Sequence, residues 1–145
     1  MSLSQGAEIH QLTSIKAGML DFYEAKTSDE TMLVRVPPNT IDDFFVHKYQ
    51  TDQLMAVRGN FIIIILHDGK YQYFSLSEAQ PEVITIPRMV PHAAINLGSE
   101  PCMLINGVIR HGKPHPLDYR PIKAPFPYDL DLMKNLHERS LSVRS

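Results

Sequence analysis

Six residues in succession, Phe61-Ile62-Ile63-Ile64-Ile65-Leu66, set the first limit on what this chain can become. The run is rich in β-branched residues and does not alternate between apolar and polar positions, so it predicts a strand buried on both faces. It is far too short to span a bilayer as a helix. Gly59-Asn60 marks a turn before it. His67-Asp68-Gly69-Lys70 marks a hairpin after it, because Asp-Gly accepts the positive φ angles of tight hairpins. In a single sandwich one strand face normally meets water. The second face of this strand is therefore expected to lie under another subunit.

Weaker versions of the same pattern recur along the chain. Short strands are expected over 8–12, 19–23, 32–36, 44–49, 54–57, 71–75, 83–86, 93–97 and 102–109, separated by Gly, Pro and Asn turns. Pro37-Pro38 removes two backbone donors and ends one of them. Many short strands so punctuated predict an all-β sandwich or barrel. After His111 the texture changes. Pro114, Pro116, Pro121, Pro125 and Pro127 are five of the 11 prolines, and such a segment is read as an irregular strap over the barrel. Asp129 is placed to cap a helix over 130–139 with Leu132, Met133 and Leu136 on one face. Residues 140–145 are expected to be loose. A length of 145 residues fits one domain, with a core over about 30–111 and the strap and helix over about 112–140.

A net charge of -2 and a pI near 6.4 argue against nucleic acid or an anionic membrane as partner. The single cysteine, Cys102, lies in an apolar strand and reads as a small core residue rather than a nucleophile. The N-terminal Met1-Ser-Leu-Ser-Gln-Gly has neither the cationic nor the apolar region of a signal peptide, so a cytoplasmic location is expected.

Chemistry-bearing residues gather in two stretches. The first is His47-Lys48-Tyr49-Gln50-Thr51-Asp52-Gln53, leading to Gly59; the second runs from Pro87 through His92 to Asn96. If 44–49 is a strand, His47 and Tyr49 share a face, and Gln53 joins them in the absence of a bulge. Three polar groups on one inward face imply a cavity holding water or ligand rather than a dry core.

The two stretches resemble the paired motifs of the cupins. His47-x-Tyr49-x-x-x-Gln53 with Gly59 stands for the first, and Pro87-x-Met89-x-x-His92-x-x-x-Asn96 for the second. The resemblance implies a double-stranded β-helix, the cupin jelly roll. Metal-binding cupins would hold a divalent metal at His47, Gln53 and His92, but Tyr49 and Gln53 stand where they have His and Glu, so the expectation is no cofactor, with a divalent metal at those three residues as the alternative. Within the cupins the chain is most similar to the dTDP-4-dehydrorhamnose 3,5-epimerases, through His47-Lys48-Tyr49-Gln50, Ile86-Pro87, His92 and Tyr119-Arg120-Pro121. That likeness implies a cofactor-free isomerase of nucleotide sugars with His47 as base. Tyr49 is the remaining candidate for the acid, because Asn106 falls near the family's tyrosine. Arg58 is the candidate for the family's missing lysine. Gln53, His92, Asn106 and Arg110 complete the candidate ligand contacts, Arg110 within a cationic Arg-His-Gly-Lys turn. Met89 and Ala93 replace glycines of the family loop.

Three readings follow: an epimerase-like isomerase, a non-catalytic sugar or small-molecule binder, and a metal-dependent oxygenase or isomerase. The expected partner is a sugar or nucleotide sugar. A homodimer is expected from the covered strand and from the pairing habit of related cupins.

Overall fold

The computed structural model describes residues 6–142. Most of the N-terminal stretch read above for a signal peptide, and the last three residues of the expected loose tail, lie outside the described residues.

Strands β1 (Glu8–Gln11), β2 (Thr13–Ala17), β3 (Leu20–Glu24), β4 (Glu30–Val36), β5 (Thr40–Ile41) and β6 (Gln50–Arg58) come first. β7 (Asn60–His67), β8 (Lys70–Ser77), β9 (Glu82–Ile86), β10 (His92–Asn96) and β11 (Cys102–Arg110) follow. A five-stranded sheet, β1-β9-β6-β11-β4, faces a four-stranded sheet, β5-β10-β7-β8; β2 and β3 form a separate hairpin. The fold is all-β, a jelly roll of two antiparallel sheets, as expected.

The isoleucine run is β7, and both its faces are buried. Phe61, Ile63 and Ile65 pack between the sheets with Leu54, Ile84 and Leu104. Ile62 and Ile64 point the other way, into a second cluster with Phe44, Ala93, Ile95 and Met133. Here the expectation of a covering subunit is corrected. The chain covers this face itself, with helix α1 (Leu130–Ser142) and the strap before it. Local chemistry makes that possible. Asp129 Oδ1 accepts the Leu132 amide at 3.0 Å, supplying the helix cap. The Tyr71 hydroxyl donates to the Phe126 carbonyl at 2.6 Å, and the Tyr73 hydroxyl accepts the Asp129 amide at 2.8 Å. The Tyr71 and Phe126 rings stack with centroids 3.9 Å apart. Met133 and Leu136 face the sheet, whereas Leu132 is 37% exposed and lies off that face. The helix runs on through Ser140, which is buried, so the expected loosening does not begin there.

Met133 is fully buried in the second cluster. Met133→Ala is expected to cost about 2–4 kcal/mol, read as a shift of the denaturant midpoint at unchanged slope. A cost near zero would mean the helix is not what closes β7.

One expected strand fails. Residues 44–49 are not a strand: Phe44 bridges Ile122 of the strap and Phe45 bridges His92, in two isolated pairs. Beyond them, the Lys48 and Tyr49 amides donate to the Asp118 carboxylate at 3.1 and 2.8 Å instead of to a neighbouring strand. Asp118 sits in a short 3₁₀ turn, Pro116–Tyr119, within the strap. The strap thus clamps the segment that carries His47.

Candidate active site

A cavity of about 460 Å³ opens between the two sheets. Apolar Leu54, Ile63 and Leu104 line it, and the polar His47, Gln50, Asp52 and His92 stand together on its wall. Alternation along β6 places them. Leu54 belongs to the core, so Asp52 and Gln50, two and four residues earlier, point the same way, and Gln53 points outward.

Asp52 lies between two imidazoles. Its Oδ2 is 3.3 Å from His47 Nε2 and 3.0 Å from His92 Nε2. The three residues are 3–8% exposed. Each imidazole is anchored through its other nitrogen: His47 Nδ1 is 2.6 Å from the Asp118 carbonyl, and His92 Nδ1 is 3.0 Å from the Val90 carbonyl. A carbonyl oxygen only accepts, so both Nδ1 atoms carry a hydrogen. A neutral ring would then turn the lone pair of Nε2 toward the carboxylate. The contacts attract only if Nε2 is also protonated or a cation sits among the three atoms.

The electrostatics agree. Burial alone would push the His47 imidazole down, but the Asp52 hydrogen bond and charge, with help from Asp118, raise it above the ordinary 6.5. Burial alone would push the Asp52 carboxyl up, but bonds from His47 and His92 hold it well below the ordinary 3.8. The raised His47 contributes stability that is complete below pH 6.5 and lost as pH climbs through its folded value. The depressed Asp52 contributes stability that is complete above pH 3.8 and lost as pH falls toward its folded value. Maximal stability is therefore expected between about pH 4 and 6.5, declining on the alkaline side; urea titrations across pH 4–9 measure it.

Gln50, 1% exposed, orients the carboxylate. Its Oε1 accepts from Arg110 Nη1 and from the Tyr119 hydroxyl, both at 2.8 Å. That fixes its amide nitrogen toward Asp52 Oδ1, 2.7 Å away. Arg110 is in turn held by Glu30 at 2.6 and 3.0 Å. Tyr119 lies on the cavity wall, its ring centroid 5.4 Å from that of His47.

The sequence candidates divide accordingly. His47, His92 and Asn106 line the cavity. Gln53 does not: its amide donates to the Thr27 and Gly107 carbonyls, so Asp52 replaces it as the third polar group and as the third possible metal ligand. Tyr49 turns away, its ring 6.3 Å from that of His115, because 44–49 is no strand and parity does not carry through it. Tyr119 is the cavity phenol instead. Arg58 is exposed at the end of β6, beside Cys102 and away from the cavity, so it is no substitute for a lysine there. Arg110 does not line the cavity; it reaches the cluster through Gln50 and interacts with Tyr119. Sequence reasoning missed Asp52, Gln50, Asp118 and Tyr119 as site residues. Counting by twos backward from Leu54 would have found the first two. Met89 adopts φ 69°, a conformation glycine takes easily, and its amide donates to the His47 carbonyl at 2.7 Å.

No protein-family model matches the chain, and no curated protein matches it in sequence. Solved structures do match in shape. A dTDP sugar isomerase from Desulfovibrio desulfuricans G20 aligns over 89% of this chain and 88% of its own, with TM-score 0.62 and 16% identity. A dTDP-4-dehydrorhamnose 3,5-epimerase from Sulfolobus tokodaii aligns over 87% and 85%, with TM-score 0.63 and 15% identity. The QdtA 3,4-ketoisomerase from Thermoanaerobacterium thermosaccharolyticum, a double mutant solved in complex with TDP, aligns over 77% and 85%, with TM-score 0.62 and 11% identity. At these identities the likeness is one of fold: the chain is a cupin-like jelly roll of the architecture built by dTDP-sugar isomerases and epimerases.

Proposed function

We propose that this cavity catalyses proton transfer at a carbon next to a ketone in a sugar, with a nucleotide sugar as the preferred class. The observation that carries the reading is the buried His47–Asp52–His92 cluster, whose ring orientations are fixed through both Nδ1 atoms. Such an isomerase needs a group that exchanges a proton with carbon, a positive charge for the developing oxygen, and a second proton-transfer group. His47 supplies the first and Asp52 holds its orientation. The charge comes from the proton that His47 takes up: the resulting imidazolium, paired with Asp52, stands beside the developing oxygen in place of the lysine that the related pattern has and this cavity lacks. Tyr119 supplies the third, in place of Tyr49. Fold likeness to dTDP-sugar isomerases and epimerases supports the substrate class.

Solvent-deuterium incorporation into 4-keto-6-deoxy nucleotide sugars tests the reading. Deuterium next to the ketone, catalytic in protein, is the expected result. Saturable binding with no exchange would replace it with the non-catalytic binding reading.

The same cluster favours a second reading. Three ligand atoms, one each from His47, Asp52 and His92, lie within 4.8 Å of one another. Metal–ligand bonds of about 2.1 Å at right angles give ligand–ligand edges of about 3.0 Å, which the Nε2–Oδ2 distances match. Metal-bound histidines also commonly donate their other nitrogen to a backbone carbonyl, as both do here. The residues thus fit a divalent cation, which would supply Lewis-acid polarisation of a substrate oxygen. Elemental analysis of untagged protein decides between the readings. Near one metal per chain, with chelation abolishing activity, supports the metal. Exchange activity in metal-free protein supports the proton-transfer reading.

A further inference from the structure

A second pocket, of about 360 Å³, opens at the far end of β6. It shares no lining residue with the cavity of the histidine cluster. Arg58, on its lining, stands about 20 Å along the strand from Asp52. The turn between β6 and β7 builds it. Gly59 takes φ 85°, and a Cβ there would stand 2.9 Å from Cys102 Sγ, so glycine lets the chain turn tightly against β11. That turn brings Arg58 and Asn60 to one pocket. Alternation gives Asn60 the helix-facing side of β7, which it shares with Ile62 and Ile64. Here the apolar cover runs out. Met133 of α1 closes over the isoleucines, whereas His137 and Leu141, one and two turns on, line the pocket.

Two buried asparagines line this pocket, and only one is engaged. Asn96 Nδ2 donates to the Val36, Pro37 and Glu100 carbonyls at 3.2, 3.2 and 2.8 Å. Its Oδ1 accepts the Gly98 amide at 2.9 Å. Asn96 is thus spent on shaping the loop between β10 and β11. Asn60 is 5% exposed, yet neither its Oδ1 nor its Nδ2 has a hydrogen-bond partner among the described residues. A buried donor and acceptor left unpaired are costly. Side by side on one carboxamide, they are the complement of another amide edge. The exposed part of the lining carries both signs of charge, with Arg58, Glu78 and Glu100. Among the described residues Arg58 and Glu100 form no ion pair.

We propose that this pocket is a second ligand site, for a small zwitterion with a primary carboxamide, the chemistry of free glutamine or asparagine. The ligand's carboxamide lies edge to edge with that of Asn60: its NH2 donates to Oδ1 and its carbonyl accepts from Nδ2. Its α-carboxylate meets the Arg58 guanidinium and its α-ammonium the Glu100 carboxylate. A nucleobase offers a similar edge, but a nucleotide brings phosphate and no ammonium, which two glutamates in the lining oppose. The inference is independent of the reading of the histidine cluster.

Isothermal titration calorimetry of the full chain with L-glutamine and L-asparagine should show saturable binding of at least one, at one site per chain. L-Glutamate and L-aspartate keep the shape but offer a carboxylate where Asn60 Oδ1 needs a donor. Each should bind about 10–100-fold more weakly than its amide. Arg58→Ala removes an exposed side chain and should weaken the amide by about 10-fold or more, with the melting temperature of the free protein unchanged. Asn60→Leu should abolish binding, and the Arg58 variant carries the test if that leucine disturbs the fold. In amide spectra the Asn60 side-chain NH2 signals should move on titration while those of Gln50, in the histidine cavity, stay in place. No saturation at millimolar concentration, equal binding of amide and acid, indifference to Arg58→Ala, or shifts at Gln50 in place of Asn60 would each overturn the proposal. Binding of adenosine monophosphate in place of either amino acid would also overturn it and reassign the pocket to a nucleotide.

Discussion

His47→Asn should lower deuterium exchange into a 4-keto nucleotide sugar by about 10²–10⁴-fold, the usual contribution of a positioned acid–base group. His47 is singled out because it couples three features. Its Nε2 contacts Asp52, its Nδ1 is fixed on a backbone carbonyl, and its ring lies 5.4 Å from Tyr119 across the cavity wall. Asparagine keeps a donor near the Asp118 carbonyl but cannot hold a proton on a ring nitrogen. Ligand affinity, measured by calorimetry, should change only a few-fold, because most of the wall is apolar and unaltered. Loss of binding in parallel with exchange would make His47 a binding group. Unchanged exchange would remove it from the reaction.

Asp52→Leu should destabilise the fold by about 3–5 kcal/mol, the cost of breaking a buried charge pair from one side. Leucine fills nearly the same volume, so packing is not the main loss. What goes is the carboxylate that His47 Nε2, His92 Nε2 and the Gln50 amide share. The pH dependence should also reverse. With Asp52 present, His47 lies above its ordinary value and the fold weakens as pH rises through the folded value. With Asp52 gone, burial is the leading influence left and holds the imidazole below that value. Stability is then lost as pH falls, because a buried neutral ring must take up a proton. Chemical denaturation of both proteins from pH 5 to 9 reads the sign directly. Parallel profiles would show that Asp52 does not govern the protonation of His47.

Much of the fold could be read locally. The isoleucine run, the Asp68-Gly69 hairpin and the proline breaks are statements about backbone freedom and burial that hold wherever the residues end up. They gave an all-β barrel, and with Asp129 they gave the helix start. The cover on β7 was not legible. The run shows only that both faces are buried, and the helix that covers one of them lies more than sixty residues later.

The site divides the same way. Motif spacing alone placed His47 and His92 at one cavity. Which carboxylate or amide meets them depended on where the strand begins. β6 starts at Gln50, so alternation runs through 50, 52 and 54 and selects Asp52 over Gln53. That start is set by Asp118, seventy residues from Lys48, whose carboxylate takes the amides a longer strand would have paired. Tyr119 comes to the wall with the same turn. Sequence by itself determined which residues prefer strands, which cannot continue them, and which histidines share a cavity. Only the tertiary structure decided the partners of those histidines, because a side chain's direction follows from strand limits, and these limits are fixed by hydrogen bonds to distant parts of the chain.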